Sequence, residues 1–378
     1  MTTLSPRDLI RLRLRALRLT SYPGESLTPE DVGRHLLALQ AQDFQASLWA
    51  LGIRSGATKT LVEEAFTSGG LVRGWPMRGT LHVVASEDIG WITALNAPRL
   101  TAESALKRRH GQLGLTASDI NQAHSLIEDI LSGGRSLSRD DLADEMTARG
   151  FVWRPGWKYH ITWFLAQTGI LVFGPIKEGE HHLVLADEWI ARPRRLEGAE
   201  AWAELASRYV ASHGPATEED LTWWAGAPKR LVREGLADAG DRVAAVPGDD
   251  GRTYWVAPDL LDEDSSQTVR TVPSVLLTPA FDEYLLGYSD RTAMLPSRHV
   301  QAICPGNNGI FKPTVLVDGV VSGVWQGAPP STLRRLKPDQ PVPISVHLFE
   351  DTAQPDQDSA VALQQAVDAY ALFLSAYA

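Results

Sequence analysis

The residues "HGPATEEDLTWWAG" (213–226) and "APKRLVREGLADAG" (227–240) predict two consecutive helices. Thr217 is suited to begin the first helix as its cap, and Asp220, three residues further on, completes a capping-box pattern. The following "RVAAVPGDDGRTYWVAP" (242–258) predicts two short strands joined by a turn rich in Gly and Asp. Two helices followed by a two-stranded hairpin is the order of a winged helix, a variant of the helix-turn-helix.

The same order occurs twice more in the chain. Each copy has a capped helix, a later helix and a hairpin with Gly at its turn. The first copy consists of "SLTPEDVGRHLLALQ" (26–40), "TKTLVEEAFTSG" (58–69) and "LVRGWPMRGTLHVVASED" (71–88). The second consists of "SLSRDDLADEMTARG" (136–150), "GWKYHITWFLAQTG" (156–169) and "ILVFGPIKEGEHHLVLAD" (170–187). Three copies favour tandem winged helices, although this local order is also common in other α+β proteins.

The sequence pattern changes from mainly helical to strand-like after residue 265. Strand-like runs alternate with Gly, Pro and Asp, and "VDGVV" (317–321) is a hairpin signal. The final "SAVALQQAVDAYALFLSAYA" (359–378) predicts an amphipathic helix. We therefore predict an α+β fold of three tandem winged-helix motifs, a C-terminal β-rich module and a C-terminal helix. The predicted domains span residues 1–100, 101–198, 199–264 and 265–378.

Composition excludes several classes of protein. The chain has 378 residues and a single cysteine, Cys304, so a disulfide framework and a thiolate zinc cluster are excluded. Residues 1–19 are interrupted by arginine, and we expect neither a signal peptide nor a membrane span. These features predict a cytoplasmic protein. The sequence contains no Gly-rich phosphate loop or dinucleotide fingerprint, and we expect no cofactor.

The net charge of −10 counts against a surface coated throughout for nucleic acid, but it allows a local basic face. Positive residues do cluster along the chain. The clusters are Arg7, Arg11, Arg15 and Arg18; Lys107, Arg108, Arg109 and His110; and Lys229, Arg230 and Arg233. Each cluster fits either a phosphate-binding surface or a solvated helix face balanced by acidic neighbours.

Several motifs together resemble the AlkZ/YcaQ family of winged-helix DNA glycosylases, which includes azinomycin-resistance and interstrand cross-link repair enzymes. The resemblance covers nearly the whole chain. The motifs that carry it are "LLALQAQD" (36–43), "MRGTLHVV" (77–84), "PATEEDLTWWAG" (215–226), "FDEYLLGYSDR" (281–291) and "NGIFKPTVLVDGVVSGVW" (308–325). The resemblance implies three winged helices and a β module arranged around a DNA duplex.

The resemblance also implies catalytic roles for Gln40 and Gln42. The family's signature is Gln, a middle residue, then Gln or Asp. This chain has Gln40-Ala41-Gln42, the form of the azinomycin-type branch, whereas the YcaQ branch typically has Asp at the second position.

The backbone between these two glutamines must be unusual if both face one site. Side chains two residues apart on a continuous helix point about 200° apart. The helix must therefore end or distort near Gln40, or the segment must be extended, and Asp43 is suited to begin a new helix. The alternative is one long helix with one glutamine facing solvent.

Two amide side chains suit a reaction in which the leaving base needs no proton. Glutamine is not a base at neutral pH, but its carbonyl can orient a water molecule, as in small GTPases. A purine alkylated at N7 is already cationic and leaves without a proton, so placing water and stabilising charge on the sugar is the remaining work. A lyase needs an amine nucleophile, and the lysine nearest in sequence is Lys59, which favours a monofunctional enzyme.

Other candidate residues lie in the same motifs. Asp282, Glu283, Asp290 and Arg291 could form an active-site or DNA-facing group, or an internal ion pair, which we favour. His82 could be functional or a buried structural histidine. The candidate DNA contacts are Arg73 and Arg78 in the first hairpin, and Arg298, Asn307, Asn308 and Lys312 in the polar loop "SRHVQAICPGNNGIFKP" (297–313). His181 and His182 lack a third ligand with suitable spacing, so we expect no metal.

The predicted function is removal of bulky cationic N7-alkylguanine and related N-alkylpurine adducts, including cross-links, by a monomer acting on double-stranded DNA. Two alternatives remain: a winged-helix transcription regulator, and a protein that shelters DNA lesions without cutting them. A regulator would tend to bind palindromic DNA as a dimer. The natural adduct, and the choice between self-resistance and general repair, stay open.

Overall fold

The computed structural model describes residues 3–20, 26–261, 273–329, 332, 335, 340–350 and 357–375. The chain forms two compact units: the first draws on residues up to Val62 and from Ala203 onward, and the second spans Glu63–Trp202. The division into four sequence domains stays a prediction, and its boundary at 264 lies outside the described residues.

The N-terminal part of the first unit is helical, and local capping defines where its helices begin. Ser5 and Thr28 each form a capping box with the aspartate three residues on, and each is followed by proline at the first helical position. The elements are α1 (Pro6–Ala16), α2 (Pro29–Leu36), the short strand β1 (Leu39–Gln40), α3 (Phe44–Ser55) and α4 (Lys59–Thr67), which continues into the second unit.

The second unit is built on a four-stranded antiparallel sheet. Its strands are β2 (Leu71–Met77), β3 (Thr80–Ala85), β4 (Leu171–Lys177) and β5 (Glu180–Leu185), in the order β3-β2-β4-β5. Its helices are α5 (Ser86–Leu100), α6 (Glu103–Leu113), α7 (Ala117–Leu131), α8 (Arg139–Ala148), α9 (Trp157–Gln167), α10 (Ala186–Trp189) and the start of α11 (Gly198–His213). Apolar side chains of α7, α9 and the sheet, such as Ile127, Ile161 and Phe173, form one buried cluster.

The two hairpins of this sheet form at the predicted places. Each turn consists of a non-glycine residue and a glycine, both with positive φ: Arg78 and Gly79 at 52° and 69°, and Glu178 and Gly179 at 52° and 79°. Two consecutive positive φ values are typical of the tight turn that matches strand twist. The sequence did not predict that β2 also pairs with β4, at Arg73 and Phe173, so that the two hairpins share one sheet.

The helices and hairpin predicted for the third copy are also present, and they belong to the first unit. They are α12 (Glu218–Ala225), α13 (Lys229–Asp238), β6 (Ala244–Pro247), β7 (Thr253–Val256) and the short α14 (Pro258–Leu261). Thr217 and Asp220 form the predicted capping box, and Gly226 ends α12 in a left-handed conformation. Helix, helix and hairpin are therefore present in the predicted order, while their assignment as winged helices stays a prediction.

The C-terminal part of the first unit is a four-stranded antiparallel sheet covered by a helix. The strands β8 (Val275–Thr278), β9 (Thr314–Val317), β10 (Val320–Gly327) and β11 (Ile344–Leu348) lie in the order β11-β10-β9-β8. The helices are α15 (Glu283–Leu286), α16 (Val300–Ile303) and α17 (Gln357–Ser375). Phe373 of α17 packs on Trp49 of α3 with ring centroids 5.1 Å apart. The α+β class is confirmed.

Across the described residues, we find no helix that is both long enough and apolar enough to cross a membrane.

Candidate active site

The segment that contains Gln40 and Gln42 is an extended break between two helices. α2 ends at Leu36, and Leu37 takes a positive φ of 65°, which turns the chain out of the helical path. Leu39 and Gln40 are extended, and Asp43 then begins α3 by accepting a hydrogen bond from the Ala46 N–H at 3.1 Å. Of the two alternatives that the sequence allowed, the structure shows the helix stop near Gln40 with Asp43 capping a new helix, and not one long helix; that both glutamines face one site stays a prediction.

Strand β1 ends at Gln40, and Gln42 lies in a bend before α3, so the two side chains do not take the roughly opposite directions of a continuous helix. Gln40 is partly buried, Ala41 is buried and Gln42 is exposed. The amide oxygen of Gln40 is itself buried, and none of the described protein groups donates a hydrogen bond to it. Such an acceptor costs about 1–3 kcal/mol, so its retention points to a role other than stability.

The backbone of Gln40 is held by Glu283, whose side chain is completely buried. The Gln40 N–H donates to Glu283 Oε1 at 2.9 Å. Glu283 Oε2 accepts from the Trp224 indole N–H at 3.0 Å and lies 3.3 Å from His213 Nε2. A buried carboxylate is costly unless donors surround it, and these groups supply them. One carboxylate therefore joins the glutamine segment to α11 and α12.

The histidine of this network is itself fixed. His213 Nδ1 lies 2.8 Å from the Ser212 hydroxyl, and its ring stacks on Tyr209 with centroids 4.7 Å apart. The Tyr288 hydroxyl donates to the His213 carbonyl at 2.8 Å. Gly287 leaves no room for a side chain, because an added Cβ would lie 2.6 Å from the imidazole. The imidazole next to Glu283 is thus closely packed by the surrounding groups.

Asp282 has a different partner. It forms a bidentate ion pair with Arg54 of α3 at 2.8 and 2.9 Å, and both side chains are buried. Arg54 also donates to the Leu17 and Ala50 carbonyls, and Asp282 accepts from the Tyr284 N–H at the start of α15. Asp282 thus takes part in the internal ion pair that the sequence analysis favoured.

Asp290 and Arg291 take part in local structure. Asp290 accepts from the Thr292 N–H and hydroxyl and pairs with Arg252. Burial acts to raise the pKa of Asp290, but the hydrogen bonds from Thr292 and Arg252 outweigh it and hold the pKa below its ordinary value. The Arg291 guanidinium lies over the rings of Trp223 and Phe311, at 4.9 and 5.2 Å.

The candidate residues of the first hairpin are more enclosed than expected. Arg78 lies at the turn, but its Nε and Nη2 atoms are buried. Arg73 lies within β2, away from the turn, opposite Val83 on one side and Phe173 on the other. His82 is buried, with Nδ1 2.9 Å from the Thr80 carbonyl. A role for these residues in DNA binding stays a prediction.

The second set of candidate DNA contacts lies on an exposed loop. Arg298, Asn307, Asn308 and Lys312 are all exposed. Gly306, Asn307 and Gly309 have positive φ, and the Asn308 side chain accepts from the Ile310 N–H at 2.9 Å, so the loop has a defined turn structure. The sequence analysis missed Ile310, an apolar side chain that is 60% exposed on this loop.

No group of three or more His, Cys, Asp or Glu residues in the described ranges is arranged to hold a metal ion. The neighbouring His181 and His182 do not form such a site. His181 Nε2 lies 3.0 Å from the Gly174 carbonyl, and the ring contacts Phe173 at 5.3 Å. Burial lowers the pKa of His181 to about 3, which keeps its ring neutral.

Sequence reasoning found the glutamines and named Glu283 as a candidate, but it did not link Glu283 to Gln40 and did not select Trp224 or His213. One signal was available: "FDEYLLGY" places two carboxylates in an apolar run, where each needs a buried partner. What the sequence does not show is which partner each has, because Gln40 and Glu283 lie 243 residues apart.

The chain belongs to the DNA glycosylase AlkZ-like family, whose sequence model matches residues 34–373. The interstrand DNA cross-link repair glycosylase of Streptomyces sahachiroi is 27% identical over 334 residues, which cover 84% of this chain and 85% of that protein.

The fold is also that of a solved structure. The DNA glycosylase AlkZ of Streptomyces sahachiroi matches this chain with a TM-score of 0.77 at 24% sequence identity, covering 99% of this chain and 98% of that chain. The family predicted from the sequence motifs is confirmed. The chain is an enzyme that acts on DNA as a glycosylase, and regulation of transcription without catalysis is set aside.

Proposed function

We propose that this enzyme is a monofunctional, monomeric glycosylase that excises bulky cationic N7-alkylguanine and related N-alkylpurine adducts from double-stranded DNA. Adducts within interstrand cross-links are included, since the Streptomyces sahachiroi relative is named for cross-link repair. The observation that carries the proposal is the non-helical Gln40-Ala41-Gln42 segment between two helices, which Glu283 fixes through the Gln40 backbone and which bears a buried amide oxygen free of protein donors in the described chain.

In the proposed reaction the two amides act on the sugar and on water. The bond between the sugar carbon and the purine nitrogen breaks, and its electron pair neutralises the cationic purine, which leaves as the neutral alkylated base. Water then bonds to the sugar carbon and releases a proton to solvent. Fixed amide dipoles stabilise the positive charge on the sugar and position the water, without a proton acceptor of their own.

The proposed chemistry excludes undamaged bases. A normal purine would leave as an anion and needs an acid to protonate it. Amide side chains supply no such acid, because they do not ionise at neutral pH. We therefore expect little or no release of uracil, hypoxanthine or undamaged bases.

The proposed DNA-binding surface includes the exposed loop with Arg298, Asn307, Asn308 and Lys312. Arg298 and Lys312 can bind phosphate groups, and the two asparagines can hydrogen-bond base edges in a groove. Ile310 is an exposed apolar side chain of the kind that inserts between base steps. Reading a lesion from the groove would avoid swinging a bulky adduct into a closed pocket.

The test measures release of the damaged base from a duplex with a single N7-alkylguanine, followed by cleavage at abasic sites. We expect rapid release by the wild type and a loss of at least about tenfold, 1.4 kcal/mol, in the Gln40→Ala/Gln42→Ala variant. Gln45→Ala is the matched control, since Gln45 is an exposed glutamine in the first turn of α3.

Two results would overturn the proposal. Unchanged release by the double variant would remove the reaction from the glutamines. Tight binding of the lesion by the wild type without any release would indicate a protein that shelters the adduct.

A further inference from the structure

The helix α6 of the second unit has one anchored face and one charged face. Its inner face consists of Leu106, which is buried, His110, whose Nε2 lies 3.0 Å from His160 Nε2, and Leu113, whose carbonyl accepts from the Trp157 indole N–H at 2.8 Å. Lys107 and the two arginines that follow it are exposed, and as consecutive residues they spread over about 200° of the helix surface outside this stripe, with Arg109 at its border. The packing of the inner face thus fixes the direction in which the charges point.

These three cations, which we call the α6 cations (Lys107, Arg108 and Arg109), are not neutralised by acidic neighbours. In the part of the chain that the structure describes, no carboxylate lies within ion-pair distance of any of them, although Glu103 precedes Lys107 by one turn. The chain as a whole carries a formal charge of −10, so an unbalanced positive face departs from its average. Such a face is the electrostatic signature of a phosphate-binding surface.

The helix α13 shows the contrast within the same chain. Its basic cluster has the same number of cations, at positions 229, 230 and 233 instead of three consecutive positions, and each forms an ion pair. Lys229 pairs with Glu219 at 2.5 Å, Arg230 with Glu234 at 2.6 Å, and Arg233 with Glu218 at 2.9 Å. Cations already paired with carboxylates have little charge to offer a phosphate, so similar sequences yield two different surfaces.

We propose that the α6 cations bind the sugar–phosphate backbone of the DNA duplex on which the enzyme acts. Arginine presents a planar fork of N–H donors that matches phosphate oxygens, and lysine supplies a compact charge beside it. The inference rests on DNA as the substrate and extends it to a surface that positions the duplex without reading its sequence.

The histidines beneath the surface do not carry this binding. In the His110–His160 contact one ring nitrogen must donate and the other accept, so the two facing nitrogens are not both protonated. Burial lowers the pKa of His110, and burial together with His110 and Arg109 lowers the pKa of His160 to about 4. We expect the positive charge of this face to be independent of pH near neutrality.

The test compares two triple variants of equal charge change. Binding to a short undamaged duplex is measured by fluorescence anisotropy between about 50 and 200 mM salt. For Lys107→Ala/Arg108→Ala/Arg109→Ala we expect the slope of log affinity against log salt to fall by about 0.9 for each phosphate that the variant no longer neutralises, or about 2 to 3 in total. The control is Lys229→Ala/Arg230→Ala/Arg233→Ala, for which we expect the wild-type slope.

A third variant guards against misfolding. Lys107→Arg/Arg108→Lys/Arg109→Lys keeps all charges and should keep the wild-type slope. Wild-type affinity and slope in the α6 alanine variant would overturn the proposal and leave an acidic protein as the partner of this face. Equal reductions in both alanine variants would also overturn it, because net charge would then explain them. If the wild type binds DNA but releases no N7-alkylguanine, the proposed adduct fails while this test still stands.

Discussion

Asp282 and Glu283 are adjacent, both are buried, and they serve the first unit in opposite ways. Asp282 is paired with the permanent charge of Arg54, while Glu283 accepts hydrogen bonds from the backbone N–H of Gln40 and the Trp224 indole N–H and lies beside His213. The ion pair joins α3 to the segment that precedes α15, and removal of one partner would leave the other charge buried and unpaired. The Glu283 contact fixes the position of the glutamine segment. The comparison teaches that equal burial and one shared motif do not imply one role.

The largest expected effect is on the ion pair. Asp282→Ala leaves the Arg54 guanidinium buried and without its carboxylate, which costs about 3–5 kcal/mol in a pair of this kind. Denaturant unfolding followed by tryptophan fluorescence measures the loss of stability. Asp290→Ala is the control, because its partner Arg252 is half exposed and the pair is worth about 1 kcal/mol or less. Loss of activity in Asp282→Ala without loss of stability would contradict the assignment of Asp282 to structure and Glu283 to the site.

The next effect separates Glu283 from its neighbour. In Glu283→Gln the amide oxygen can still accept from Gln40, but the amide N–H groups then face the Trp224 indole N–H, donor against donor. We expect kcat for base release to fall by about tenfold to a hundredfold, or 1.4–2.7 kcal/mol, with KM little changed. A fall in unfolding free energy as large as that of Asp282→Ala, with kcat intact, would make Glu283 purely structural.

A smaller effect tests the other end of the break. Asp43→Ala removes the side chain that accepts from the Ala46 N–H at the start of α3, which costs about 1 kcal/mol of stability. Asp43→Ser keeps a hydroxyl acceptor and should restore most of that stability. If both variants retain wild-type thermal stability, the cap does not define the start of α3, and Glu283 holds the break without it.

The smallest effect concerns acid and His35, which immediately precedes the last residue of α2. Burial and then Arg18 lower the pKa of His35 from 6.5 to about 4, and its Nε2 lies 2.6 Å from the Ala16 carbonyl. The unfolded chain therefore binds the extra proton first, so stability is present above pH 6.5 and is lost as the pH falls toward 4. We expect a loss below about 1 kcal/mol at pH 6.

His35→Gln should flatten that pH dependence. Urea unfolding at about pH 7.5 and about pH 6 compares the two proteins, and the difference between wild type and variant isolates the histidine. An equal pH dependence in both would assign the acid sensitivity to other groups.

Local sequence predicted what is decided locally. Thr217 begins α12 because its side chain bonds a backbone group within the same turn, and the tight hairpin turns follow from Gly at the required positions. The stop near Gln40 was one of two alternatives, because two amides on one helix could not share a face but one of them could have faced solvent.

Partners far apart in sequence were not predictable. Arg54 meets Asp282 across 228 residues, and Gln40 meets Glu283 across 243. The pairing of Arg73 with Phe173, which joins two hairpins in one sheet, depends in the same way on tertiary structure. A carboxylate in an apolar run predicts that a partner is buried with it, but residue type alone does not identify that partner.

Glu283 holds residue 40 through its peptide N–H, a group that every residue except proline carries. The anchoring of the segment is therefore independent of the side chain at that position, and the amide group of the Gln40 side chain contributes no donor to the anchor. We expect an exchange of side chain at 40 to change the proposed reacting group while the chain keeps its path. Under the proposed function the scaffold separates holding from reacting, and a new substrate preference can arise here without rebuilding the structure that presents the side chain.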